Sequence, residues 1–419
     1  MHVCLLTAGR YPPNGRVRRH AEALHRAGHA VTVCARGVDE PDHELHRGID
    51  IERVADDSLY AGPRGVLDGV RYALRFVHPA WLRAASAVDD EEDVDVVCVF
   101  DLSLVKTGLA LGERFDVPAV CDLPGPTAAV ASDPSRGGRL RGIARRVFQP
   151  RWRRGRLVKR LTDAEWLVTT CEEARAAYVR ERDVDPRRLS VVRDTVAPSV
   201  VDPATVSEVR EELGFEGDAF VVTALADDSS GDSLEPLVEA VARAADEAVS
   251  LRVVVVGDPG RATLDDLETL ARRRLAGGRI RFRTEGDPTD YVAASDACVF
   301  PSEPIDPETV VPAALYEAMA VGVPVVAPDT APIRRVLAET EAGRVVDDGT
   351  RPLADALVAL ADTETRAELG ANGRHAAGTA YDPATDAVRL RRGYEWVRAR
   401  PESGPASRFV SAITYEPTS

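Results

Sequence analysis

A chain of 419 residues exceeds one ordinary domain and predicts two, with 44% hydrophobic residues to build their cores. Its net charge of −15 speaks against general nucleic-acid binding, which needs a basic surface. The longest apolar runs, such as Val94–Phe100 (broken only by Asp95) and Val253–Val256, are strand-sized and fall short of the roughly 20 residues that span a bilayer.

In chain order, strand His2–Leu6 leads through loop Thr7–Gly15 into helix Arg16–Ala27 and then strand Ala30–Cys34. Val17, Ala21 and Leu24 give that helix an apolar stripe at i, i+4, i+7. Met1-His2 enters the first apolar run directly, without a charged n-region or cleavage pattern, so a cytoplasmic protein is expected. Further strands read at Val94–Val99, Pro118–Cys121, Trp166–Thr170 and Leu189–Arg193. After the Pro-containing stretch Ala197–Pro203 a second series follows: Phe220–Leu225, Leu251–Val256, Arg279–Phe282, Ala297–Phe300, Pro324–Ala327 and Arg344–Val346. Leu234, Leu237, Val238 and Val241 share one face of a helix between the first two.

Short β-branched runs alternating with amphipathic helices predict an α/β protein with parallel, helix-covered sheets. Two such series imply two doubly wound domains, 1–198 and 199–383. A helix over 384–400, carrying Tyr394 and Trp396, is expected to pack back on the first domain, and 401–419 to form a flexible tail. The six cysteines stand singly in or beside strands, without Cys-x-x-Cys spacing, and read as buried thiols. Only Lys106 and Lys159 are lysines; an acidic, lysine-poor chain fits a high-salt cytoplasm, or simply GC-rich codon usage.

Ligands of open α/β sheets bind beyond the carboxyl ends of the strands, at helix amino ends. Three segments draw attention. In Tyr11-Pro12-Pro13-Asn14-Gly15-Arg16, Pro fixes the backbone, Gly15 permits close approach, and helix-start amides favour a phosphate; an ordinary turn fits equally well. In the second, strand Val299-Phe300 is followed by a polar loop, then by Thr309-Val310-Val311-Pro312 and Ala313–Val326 around one carboxylate, Glu317. A nucleotide there would set its diphosphate on the amides of Thr309, Val310 and Val311, with Glu317 accepting from ribose hydroxyls; the bland alternative is a solvated helix-face glutamate. The third, Arg136–Arg160, holds ten arginines and Lys159 with no acidic residue. With Leu140, Ile143 and Val147 on one helical face, Arg145, Arg146, Trp152 and Arg153 would touch an anionic membrane surface or an acceptor; pairing with the protein's own carboxylates is the other reading.

The stretch Glu317-Ala318-Met319-Ala320, with Gly322-Val323-Pro324-Val325-Val326, resembles the sugar-donor signature of family 4 (group 1) glycosyltransferases. Pro12–Val17, Gly28–Val33, Tyr291, Ala294–Ala297 and Leu369–Arg374 follow the same family's order, so the resemblance spans everything but the tail. It implies a GT-B fold, two Rossmann-like domains facing a central cleft. It also implies a nucleotide-sugar co-substrate, a glycan or lipid-linked acceptor, retention of anomeric configuration, and no cofactor or metal. By the same resemblance Asp101 and Asp122 fall on acceptor-domain motifs as candidate catalytic groups, although a capping role fits Asp101 equally. The family's first glutamate, eight positions before Glu317, is replaced by Thr309, with Glu308 adjacent as the catalytic candidate.

The family's Arg and Lys for the donor diphosphate are also missing. Their stretch reads Ala226-Asp227-Asp228-Ser229-Ser230-Gly231-Asp232. A departing diphosphate needs its charge stabilised, leaving Arg16, Arg18 and Arg19 to supply cations, or salt to screen the repulsion with a Debye length of about 3 Å at 1 M. The expected function is a glycosyltransferase, either cytoplasmic or peripheral at the inner membrane face. The rival is a non-catalytic GT-B binding protein, and a weaker alternative is an epimerase or hydrolase on that fold.

Overall fold

The structure, a computed structural model, describes residues 1–37, 40–55, 72, 76–125, 159–199, 202–215, 218–226, 231–245, 247–248, 250–257, 261–274, 278–301, 303 and 306–399. The chain divides into two compact units, Met1–Arg193 with the chain from Thr385 onward, and Asp194–Ala384. The tail 401–419 lies outside the described residues, as do Arg145, Arg146, Trp152 and Arg153.

The first unit holds an eight-stranded sheet. Its strands are β1 (His2–Leu6), β2 (Ala30–Gly37), β3 (His43–His46), β4 (Ile49–Ala55), β5 (Val96–Val99), β6 (Ala119–Asp122), β7 (Trp166–Thr169) and β8 (Leu189–Val191), in the order β3-β4-β2-β1-β5-β6-β7-β8. All neighbours are parallel except β3 and β4. Helices α1 (Gly15–Arg26), α2 (Pro79–Glu91), α3 (Val105–Phe115) and α4 (Glu172–Arg182) intervene. Val17, Ala21 and Leu24, the expected stripe of α1, are fully buried. The antiparallel β3–β4 hairpin is a feature the sequence reading missed. Its turn residues Arg47 and Gly48 both have positive φ, at 53° and 80°, the backbone a tight hairpin turn requires. An arginine in that role is an uncommon signal, and the polar edge strand His43–His46 shows no apolar run.

The second unit is a six-stranded parallel sheet of β9 (Phe220–Leu225), β10 (Leu251–Val256), β11 (Ile280–Arg283), β12 (Ala297–Val299), β13 (Val325–Pro328) and β14 (Gly343–Val346), in the order β11-β10-β9-β12-β13-β14. Its helices are α5 (Pro203–Leu213), α6 (Gly231–Ala244), α7 (Arg261–Arg273), α8 (Pro288–Ala293), α9 (Ala313–Val321), α10 (Ala331–Thr340), α11 (Thr350–Ala359) and α12 (Thr363–Ala377). Leu234, Leu237, Val238 and Val241 of α6 are buried in one cluster with Val222, Val253 and Leu357. The last helix, α13 (Pro383–Arg398), sends Leu390, Tyr394 and Val397 into the first unit's core beside Val3, Leu5 and Trp166. All six cysteines are buried thiols outside any disulfide. Among the described residues, no helix is long and apolar enough to cross a membrane.

Both sheets reverse winding direction at one point, between β1 and β5 in the first unit and between β9 and β12 in the second. In open α/β sheets the loops leaving such strands diverge to opposite faces and open a crevice at the carboxyl edge.

The seat of α13 depends on a residue without a side chain. A Cβ on Gly393 would lie 2.1 Å from Cη2 of Trp166. That ring is fully buried, and its Nε1 donates to Ser190 Oγ at 3.0 Å, so it has little room to yield. Gly393→Ala is therefore expected to destabilise the first unit by about 1–3 kcal/mol, read as a lower urea midpoint followed by tryptophan fluorescence.

Candidate functional site

At the first unit's reversal point, Asp101 bridges the two diverging loops. Its Oδ2 accepts from the Thr7 hydroxyl at 3.0 Å and from the Ala8 amide at 2.7 Å, and the residue is buried. The carboxylate thus ties the loop after β1 to the loop after β5, and it caps no amide of the short helical turn that follows it.

The neighbouring cluster is built on α1. Asn14 caps this helix by accepting from the Val17 amide at 3.2 Å, and Gly15 is its first residue. Arg16 and His20, four apart and hence on one face, both point to Asp122 at the end of β6. Arg16 donates from Nε and Nη2 to Asp122 Oδ1 at 2.7 and 2.5 Å, and from Nη1 to the Val192 carbonyl at 3.1 Å. His20 Nδ1 meets Asp122 Oδ2 at 3.0 Å, and its Nε2 meets the Tyr394 hydroxyl of α13 at 2.8 Å. At 3.0 Å the His20–Asp122 contact would be an ion pair if the ring were charged. Burial instead holds the imidazole below its ordinary pKa, against the opposing pull of the Asp122 bond, and burial pushes the Tyr394 phenol well up. The consistent assignment is a neutral ring that donates from Nδ1 to Asp122 and accepts the tyrosine proton at Nε2.

Asp122 is 1% exposed and both its oxygens are engaged. Its place is therefore that of an anchor for Arg16 and His20. Arg16, expected to meet donor phosphates, spends three donors on Asp122 and Val192. His20 and Tyr394 had not been read as part of any site. The i, i+4 spacing of Arg16 and His20 was the available signal, but Tyr394 is 374 residues away from its partner.

In the second unit, α9 begins at Ala313, after Pro312, rather than at Thr309–Val311. Thr309 and Val310 lie in the preceding turn, where both amides donate to the Asp306 carbonyl, at 3.1 and 3.0 Å. The amides without a helical acceptor are those at the start of α9, from Ala313 onward, because Pro312 has no N–H. Thr309 and Val311 are buried, whereas Glu308 is exposed. Glu317, one turn into α9, is half-buried and lies close enough to Cys298 on β12 that its charge, after burial itself, raises that thiol's pKa. The carboxylate therefore sits over the sheet next to the reversal point. Asp227 and Asp228 lie outside the described residues.

Residues 13–195 match a family model described as a glycosyl transferase 4-like domain, and residues 219–363 match one described as glycosyl transferases group 1. No curated protein matches the sequence. Among solved structures, sucrose-phosphate synthase from Thermosynechococcus elongatus is 21% identical with a TM-score of 0.74, over 95% of this chain and 99% of that one. HepE from Anabaena, solved with UDP-glucose, is 16% identical with a TM-score of 0.68, over 94% and 99%. WaaG, a glycosyltransferase involved in lipopolysaccharide biosynthesis, is 17% identical with a TM-score of 0.63, over 93% and 99%. At such identities the likeness establishes the fold: two Rossmann-like units of the GT-B type.

The neutral state of His20 has a measurable consequence. Its folded pKa lies below the unfolded value near 6.5, so the unfolded chain binds the extra proton first. Stability is then fully present above about pH 6.5 and declines as pH falls toward the folded pKa. His20→Gln should flatten that decline, which urea titrations at pH 7.5 and 5.5 would read.

Proposed function

Because the chain belongs to the group 1, family 4 glycosyltransferases, we propose that it transfers a sugar from a nucleotide-diphosphate donor to a glycan or lipid-linked acceptor, with retention of configuration. One observation carries the donor assignment. The second unit reverses winding between β9 and β12, and the loop after β12 leads to the amino end of α9 with half-buried Glu317 one turn along. Amides at the helix start suit a diphosphate, and a carboxylate one turn away suits ribose hydroxyls. The UDP-glucose bound by HepE supports a sugar nucleotide as the ligand class.

In this reading the first unit takes the acceptor, with Asp101 and the Gly15 loop at its reversal point. Asp122 serves as an anchor for Arg16, since both its oxygens are already engaged. Exposed Glu308, next to Thr309 at the place of the family's first glutamate, would act near the reacting sugar. The family resemblance implies a reaction without a metal, in which the helix-start amides stabilise the leaving diphosphate. The basic segment 136–160 brings the protein to an anionic membrane surface where lipid-linked acceptors reside.

A second reading, a non-catalytic GT-B protein, draws on the engagement of Arg16 with Asp122 and on the acidic stretch 226–232, which carries no cation. Nucleotide release from a panel of nucleotide sugars in molar salt separates the two readings. Release that requires an acceptor marks the transferase, and it should survive a chelator; no release and no binding marks the alternative. Glu317→Ala removes a charged hydrogen-bond acceptor, worth about 1.5–3 kcal/mol, so donor affinity in calorimetry should fall roughly 10- to 100-fold. Unchanged affinity would remove Glu317 from the site.

A further inference from the structure

At the carboxyl edge of the second sheet, the turn from β13 to α10 leaves a buried polar group unanswered. Thr330 caps this ten-residue helix with extended backbone, at φ −103° and ψ 154°, yet its side chain makes no capping hydrogen bond. The residue is 5% exposed, and its Oγ1 is buried without a hydrogen-bond partner among the described residues. An N-cap hydroxyl ordinarily accepts from the second or third amide of its helix. The second residue here is Pro332, which has no N–H, and the amide of Ile333 has no carbonyl one turn back within the helix. An unbonded hydroxyl and a helix-start amide thus belong to one turn.

Asp329 completes the set. Its Oδ1 accepts from Arg334 Nε at 2.6 Å, so its charge is answered locally. A hydroxyl, an amide and a neutralised carboxylate offer both donors and acceptors with no net charge. That combination suits a neutral hydroxyl group, which gives one hydrogen bond and receives others, better than a phosphate, which Asp329 would oppose. The turn also stands next to the donor site proposed above. β13 is the parallel neighbour of β12, with Cys298 opposite Val325 and Val299 opposite Val326, so its carboxyl-end turn lies beside the loop leading to α9 and Glu317.

We propose that Asp329, Thr330 and the amino end of α10 form a subsite for a hydroxyl of the donor's sugar ring, and that Thr330 helps set which sugar is accepted. The inference rests on the nucleotide-sugar reading of the preceding subsection.

The test uses the full-length protein and calorimetry with a panel of nucleotide-diphosphate sugars, each beside its free nucleoside diphosphate. Thr330→Val keeps the shape and removes the hydroxyl. It should weaken the best sugar nucleotide about three- to tenfold while leaving the free diphosphate unchanged, and Thr330→Ser should restore binding. If the valine variant, with an unaltered melting temperature, binds sugar nucleotide as the wild type does, or loses both ligands equally, the subsite is refuted. Should Glu317→Ala still weaken donor binding in that case, the donor site stands without it. If no sugar nucleotide binds the wild type, both proposals fall together.

Discussion

A carboxylate that is 1% exposed at the end of a central strand must have its charge answered inside the protein. Asp122 is answered twice, by the guanidinium of Arg16 and by the neutral ring of His20, and much of the first unit's working edge follows from that requirement. Arg16 reaches on to the Val192 carbonyl just beyond β8, and His20 reaches on to Tyr394 of the last helix. One buried charge therefore fixes the start of α1, the ends of β6 and β8, and the seat of α13. Each of these bonds exists because the alternative is an unpaired group in a medium of low dielectric.

Asp101 does comparable work at the reversal point, where it bridges Thr7 and Ala8 to the far loop. These two carboxylates hold the edge of the first unit in shape. In the second unit Glu317 is less buried: it stands half-exposed over β12, beside the first amides of α9. Burial thus sorts the acidic residues, with Asp122 and Asp101 enclosed in the framework and Glu317 partly exposed.

Family membership sets the reaction class. Ahead of α9, the amide of Thr309 is already turned onto Asp306. The diphosphate, in the reading favoured here, depends on helix amides more than on side-chain cations. Such binding relies on preorganised dipoles at a helix start.

Much of the architecture was legible in the sequence. Strands His2–Leu6, Phe220–Leu225 and Leu251–Val256 coincide with β1, β9 and β10, because β-branched runs between helical stripes have few alternatives in a parallel sheet. The α1 stripe and the Glu317 segment were equally plain, since local periodicity and a contiguous motif carry them. The β3–β4 hairpin was not, because its turn uses Arg47 and its edge strand is polar. Nor was the start of α9 at Ala313, where Pro312 supplies the cap and the turn at Asp306 absorbs the amides of Thr309 and Val310. Only tertiary structure could join His20 to Tyr394 or expose the unanswered hydroxyl of Thr330. A side chain's local pattern tells whether it will be buried, but which group answers it depends on how distant segments are brought together.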